Sequence, residues 1–238
     1  MRTIGLLGGM SWESSREYYR ILNECAREAH GGLASAPVLL HSFNFAPIAK
    51  MQAAGDWGAL EAQLADAAKG LQNAGAEAIL ICTNYMHRCA DAVSAATSIS
   101  LIHIAEAIGT RAIAAGHTRL GLLGAEGTMS APFYREKLEA LGIEVLIPDD
   151  KDRAFIHDSI FSELCLGQFT DATRAKYLAI MGALKEQGAQ GVILGCTEIE
   201  QLIMPKHTQI VLYPSAEIHA RAGADFMLNN TEKAPKAA

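Results

Sequence analysis

The chain carries two copies of one unit, and this duplication limits its fold more than any other feature. Residues 75–84 (GAEAILICTN) align without a gap on residues 188–197 (GAQGVILGCT), which sets Thr83 on Cys196 at an offset of 196 − 83 = 113. Residues 4–9 (IGLLGG) match 120–125 (LGLLGA) at 120 − 4 = 116, and Tyr19-Arg20 matches Tyr134-Arg135 at 134 − 19 = 115. A period near 115 residues is that of a duplicated domain of ordinary size, not of a solenoid, whose repeats run to about 20 to 50 residues. Each copy reads as a helix-ending glycine, a buried apolar strand, and a small protic side chain at the strand's carboxyl end.

Strand and helix patterns alternate along the chain. Strands are expected near 3–8, 37–43, 78–83, 100–103, 119–124, 143–147, 191–196 and 210–213, mostly as unbroken Val/Ile/Leu runs typical of parallel sheets covered on both faces. Between them, Leu60, Leu64, Ala67, Ala68 and Leu71 share one helical face, and Leu178, Met181 and Leu184 share another. The expected fold is α/β, with two pseudo-symmetric lobes. Each lobe is a four-stranded, mainly parallel sheet flanked by helices, and the active site lies in the cleft between them. The expected division places 1–98 plus 210–238 in the first lobe and 99–209 in the second. In such sheets ligands bind at the carboxyl ends of the strands, where Thr83 and Cys196 fall. The tail 229–238 is expected to fray, and Trp12 and Trp57 to pack.

At 238 residues and 50% hydrophobic, the chain can bury a substantial core. A net charge of -6 and a pI near 5.7 argue against a nucleic-acid partner. No apolar run reaches the ~18 residues of a membrane helix. The apolar start at Ile4–Met10 has an internal twin and reads as a strand, which points to a cytoplasmic protein. Five cysteines without a Cys-x-x-Cys pair give neither a disulfide framework nor a zinc site. No nucleotide loop or metal-ligand spacing occurs, so neither cofactor nor metal is expected.

Four segments taken in order, Gly8-Gly9-Met10-Ser11-Trp12-Glu13-Ser14, Cys82-Thr83-Asn84-Tyr85-Met86-His87, Leu164-Cys165-Leu166-Gly167-Gln168-Phe169 and Gly195-Cys196-Thr197-Glu198, resemble the cofactor-independent aspartate/glutamate racemase superfamily. Within it they are most similar to the L-aspartate/glutamate-specific branch, over essentially the whole chain to about Leu228. The resemblance implies a racemase acting on an acidic amino acid, with a homodimer as the common assembly. Inverting an α-carbon needs proton removal on one face and delivery on the other, hence two protic residues. Most of the superfamily has cysteine at both positions; here Thr83, anchored by His87, replaces the first.

A thiol with a pKa of about 8.5 ionises at pH 7 at a cost of roughly 2 kcal/mol, and a helix N-terminus beside Cys196 is expected to lower that cost. A threonine hydroxyl has no comparable route to its anion. Cys196 is therefore the expected base, and Thr83 the proton donor or, alternatively, a binding residue only. The family likeness implies a preference for L-substrates. It also implies that Asn84 and Thr197 hold the α-carboxylate, against the plainer reading that they cap the next helix.

Met10, Tyr85, Thr128, Glu198 and Gln52 complete the expected substrate contacts, with Gln52 reaching the distal carboxylate. Backbone N–H groups after Gly8 and Gly9 are expected to form an anion nest. His87 and Glu198 are expected to orient Thr83 and Cys196, and His219 to support the site, or each to be structural. A single-cysteine isomerase or decarboxylase of the maleate isomerase or arylmalonate decarboxylase kind, and a protein that only binds, are the alternatives.

Overall fold

The computed structural model describes residues 1–229; the tail from 230 onward lies outside the described residues. Among the described residues, eight strands form two parallel sheets. The first contains β1 (Ile4–Gly8), β2 (Val38–Ser42), β3 (Ala78–Ile81) and β4 (Ser100–Leu101), in the order β2-β1-β3-β4. The second contains β5 (Arg119–Gly124), β6 (Glu144–Leu146), β7 (Gly191–Gly195) and β8 (Val211–Pro214), in the order β6-β5-β7-β8. The duplicated sequence thus yields two sheets of identical topology.

The helices of the first half are α1 (Trp12–His30), α2 (Phe45–Ala54), α3 (Trp57–Asn73) and α4 (Ala90–Ala96). They are followed by α5 (Ile104–Ala114), α6 (Glu126–Ser130), α7 (Pro132–Glu139), α8 (Asp150–Ser162), α9 (Asp171–Glu186), α10 (Thr197–Leu202) and α11 (Ser215–Leu228). A 3₁₀ turn, Tyr85–Cys89, leads into α4. Among the described residues, no helix is long and apolar enough to cross a membrane.

Local chemistry explains where elements begin and end. Ser11 caps α1 by accepting from the Ser14 N–H at 3.4 Å, and Thr170 caps α9 by accepting from Thr173 N–H at 3.1 Å. Gly75 and Gly188, with φ of 101° and 100°, end α3 and α9 in a conformation side chains rarely adopt. From there the two copies repeat hydrogen bond for hydrogen bond. Ala76 N–H returns to Leu71 O and Ala189 N–H to Leu184 O, while Glu77 N–H reaches Thr3 O and Gln190 N–H reaches Arg119 O. Even the side chains agree, since Glu77 accepts from Thr3 N–H at 2.9 Å and Gln190 from Arg119 N–H at 3.0 Å.

The α3 face Leu60, Leu64, Ala67, Ala68 and Leu71 is buried. On α9 the buried face is Tyr177, Ile180, Met181 and Leu184, with Leu178 only partly covered at its margin. Burying each such aliphatic side chain stabilises the fold by about 1.5–3 kcal/mol.

By their contacts the residues divide into two compact units. One contains Met1–Leu80, Asp91–Ile102 and the described residues from Ala220 on; the other contains Ile81–Ala90 and His103–His219. This differs from the expected boundaries at three places. Residues 99–102, expected with the second lobe, fall in the first unit, where β4 pairs with β3. Strand β8, expected with the first lobe, pairs with β7 in register Gly191↔Val211 through Leu194↔Pro214, and so belongs to the second sheet. The segment after β3 joins the second unit because its side chains hydrogen-bond there, as described below. Trp12, expected to pack, is 61% exposed, with the Arg16 guanidinium 5.8 Å from its ring centroid.

Candidate active site

Thr83 and Cys196 both lie in the second unit, each just past the end of the central strand of its repeat. Strand β3 ends at Ile81, and the chain turns at once: Thr83 N–H donates to Ile81 O at 2.8 Å. Cys82 is buried in the core, where desolvation pushes its thiol far above the ordinary range. The side chain of half-buried Thr83 is the first protic group the turn presents.

His87 fixes this turn. Its Nδ1–H donates to Thr83 O at 2.8 Å, and its Nε2 accepts from Ile104 N–H at 3.2 Å, which together define one neutral tautomer. Burial, then the neighbouring His103 and His219 rings, hold its pKa well below the usual imidazole value. The His103 and His219 ring centroids stand 4.7 Å and 5.3 Å from His87. His219 is fully buried at 0% exposure. His87 therefore acts on the backbone of Thr83, holding its carbonyl.

Asn84 is also buried, and it makes no capping bond to the following turn. Its Oδ1 accepts from Tyr134 OH at 3.0 Å, and its Nδ2 donates to Ser215 Oγ at 2.9 Å. One amide hydrogen of Asn84 remains beyond these bonds. Ser215, at the first position of α11, donates in turn to Leu194 O at 2.8 Å, two residues before Cys196. Two hydrogen bonds in series thus connect the residue after Thr83 to the strand that leads into Cys196.

On the second copy, Cys196 follows β7 in extended conformation, with φ -155° and ψ 137°. Its Sγ donates to Glu198 Oε2 at 2.8 Å, and Thr197 Oγ1 donates to the same oxygen at 2.9 Å. Desolvation first, then the Glu198 charge, push the Cys196 thiol well above its ordinary pKa. This corrects the expectation that a helix N-terminus eases thiolate formation. Burial first, and then the Glu198 carboxylate, outweigh the lowering effect of the Glu198 N–H at the start of the six-residue helix α10.

Two other expected residues take packing positions in this unit. Thr128 lies inside α6, 1% exposed, with its methyl against the ends of β5 and β7, where a Cβ at Gly124 or Gly195 would stand 3.3 Å or 3.5 Å away. Ala125 holds the cap position of that helix. The Tyr85 ring lies over Gly127, where a Cβ would come within 2.2 Å of it.

Met10 and Gln52 belong to the first unit, Met10 buried after β1 and Gln52 partly buried on α2. One donor of the expected anion nest at Gly8-Gly9 is already used. Gly9 N–H donates to Ser15 Oγ at 2.8 Å, and Gly9 itself, at φ 82°, has no room for a side chain against Phe43. Cys165 is exposed. Among the described residues, no cluster of three or more His, Cys, Asp or Glu could hold a metal ion.

Sequence reasoning missed Ser215, Glu200 and Tyr134. The duplication contained a signal for two of them: the offset that pairs Thr83 with Cys196 also pairs His87 with Glu200 (200 − 87 = 113), and nearly the same one pairs His103 with Ser215 (215 − 103 = 112).

Comparison with known proteins agrees with this architecture. A proposed Asp/Glu racemase from Yersinia pestis is 43% identical and superposes with a TM-score of 0.92, over 96% of this chain and 100% of that one. An aspartate racemase homologue from Pyrococcus horikoshii is 31% identical, with a TM-score of 0.85 over 95% and 99% of the two chains. Aspartate racemase from Picrophilus torridus shares the fold at 18% identity and a TM-score of 0.76, over 95% and 94%. Among curated sequences, an uncharacterized protein of Pectobacterium carotovorum subsp. carotovorum is 28% identical over 93 residues, 37% of this chain and 58% of that protein's length. The Asp/Glu/hydantoin racemase family model matches residues 7–223, and the chain belongs to that family.

Proposed function

We propose that this protein is a cofactor-independent racemase that inverts the α-carbon of L-aspartate or L-glutamate, with Cys196 and Thr83 acting on opposite faces. The observation that carries the reading is the Cys196–Glu198 contact at 2.8 Å, which gives the thiol proton a defined acceptor. Glu198 takes that proton, the thiolate removes the Cα proton of the L-enantiomer, and the Thr83 hydroxyl delivers a proton to the other face, to be reprotonated from water. The negative charge that develops on the substrate carboxylate is met by the remaining Asn84 amide hydrogen and by the Thr197 hydroxyl, turned from Glu198.

The asymmetry of the pair favours turnover from the L-side, because a hydroxyl is a far weaker base than a thiolate. The racemase likenesses from Yersinia pestis and Pyrococcus horikoshii support an acidic substrate. Gln52 is proposed for the distal carboxylate, with Met10 and Tyr85 shaping the substrate pocket. A cytoplasmic homodimer belongs to the same reading and is checked by light scattering and fractionation.

The test is to incubate the protein with L-aspartate or L-glutamate in heavy water and follow Cα exchange by NMR. Deuterium entry with appearance of the D-isomer is expected. Exchange without inversion would reduce Thr83 to a binding role, and turnover of maleate or an arylmalonate without exchange would select a single-cysteine isomerase or decarboxylase instead.

A further inference from the structure

The two repeats contain a second matched pair besides Thr83 and Cys196. His87 and Glu200 each stand four residues past the protic residue of their copy. His87 Nε2 accepts the N–H of Ile104, at the start of the helix that follows the fourth strand of the first repeat, at 3.2 Å. Glu200 Oε1 accepts the N–H of Ala216, at the start of the helix that follows the fourth strand of the second, at 2.9 Å. Different side chains thus make the same bond at the same place in each copy.

We propose that Glu200 is the second repeat's equivalent of His87, a positioning residue that works as an uncharged clamp and, with Ser215, fastens Asn84 to β7 and so sets Thr83 relative to Cys196. This inference rests on the racemase reading above.

Hydrogen-bond accounting supports the uncharged form. The Ser215 hydroxyl has one proton, committed to Leu194 O at 2.8 Å, and it already accepts from Asn84. Glu200 Oε1 lies 3.3 Å from the same hydroxyl oxygen. An uncharged Glu200 oxygen competes only weakly for that proton, which stays on Leu194 O. As a carboxylate it draws the Ser215 proton away from Leu194, which loosens the link to β7. The surroundings agree in sign. Desolvation above all, then the Glu217 and Glu198 charges, raise the Glu200 pKa to about 8 against the pull of Ala216 N–H and Ser215. The Tyr134 phenol, itself pushed far up by burial and by Glu200, stays a neutral donor to Asn84.

The experiment compares pH profiles of kcat and KM for wild type, Glu200→Gln, Glu200→Ala and Ser215→Ala. Wild-type kcat is expected to fall above about pH 8, as Glu200 ionises. Glu200→Gln, which keeps an uncharged acceptor for Ala216, should retain most of the neutral-pH kcat and lose that alkaline limb. Glu200→Ala and Ser215→Ala should lower kcat about ten- to a hundredfold with KM within about twofold, the size expected for displaced catalytic groups. The same alkaline limb in wild type and Glu200→Gln, or an effect confined to KM, overturns the proposal.

Should Ser215→Ala fail to fold, the Glu200→Gln profile decides. Carboxyl NMR of protein labelled at glutamate Cδ gives a readout independent of turnover. One carboxyl titrating near pH 8 and missing from Glu200→Gln is expected, and no carboxyl titrating above about pH 6 overturns the clamp. Absence of Cα exchange in wild type would instead remove the racemase reading.

Discussion

The turn after β3 and the turn after β7 occupy matching places in the two repeats and are equipped with opposite chemistry. After β3 a hydroxyl is presented and an imidazole four residues on is held neutral by burial, its pKa well below the usual value. After β7 a thiol is presented and a carboxyl four residues on is held neutral by burial, its pKa raised to about 8. The thiol also has a carboxylate acceptor two positions on, where the first copy has Tyr85. Duplication preserves backbone hydrogen bonds because both sheets need them. It leaves side chains able to diverge wherever another group can make the same bond, as at His87 and Glu200.

The largest test of that contrast is Cys196→Ser. It should reduce L-substrate turnover by about a thousandfold or more, since the hydroxyl cannot supply the base that the thiolate does; residual activity near wild type would equate the two copies and break the comparison. Thr83→Ala should cost about a hundredfold in D-isomer formation, within the range of a lost general acid, while leaving measurable exchange of the L-substrate Cα proton. Equal loss of exchange and inversion would show that both copies share the first proton transfer.

Stability against pH sharpens the contrast between the neutral groups. The folded pKa of His87 lies below the unfolded value, so its contribution is lost as pH falls below about 6.5, where the unfolded chain takes up the proton first. The folded pKa of Glu200 lies above the unfolded value, so its contribution is complete below about 4.5 and is lost as pH rises toward about 8. Urea midpoints should therefore fall on both sides, His87→Gln flattening the acid side and Glu200→Gln the neutral-to-alkaline side. Parallel profiles for the two variants would contradict the opposed signs.

The smallest effects are expected at the start of the strands. Gln190→Ala removes an acceptor shared by Thr118 and Arg119 N–H, whereas Glu77→Ala removes one bond to Thr3 N–H. Each should cost about 1 kcal/mol, with Gln190 the larger, measured by thermal or urea unfolding.

The sequence by itself determined the duplication, the eight strands in order, two parallel sheets of matching layout, and the family, because apolar runs, helix-ending glycines and motif order are properties of local sequence. It also marked Thr83 and Cys196, since both follow directly from strand ends.

Only the tertiary structure decided how the site is wired. That His87 holds a carbonyl and not a hydroxyl, that Gly9 N–H is already used by Ser15, and that Thr128 packs on glycines are outcomes of which atoms meet. Asn84, Tyr134 and Ser215 are separated by up to 131 residues in sequence yet share one buried network. Desolvation and partnership of this kind depend on three-dimensional proximity, and the pattern along a chain does not encode distance between its ends.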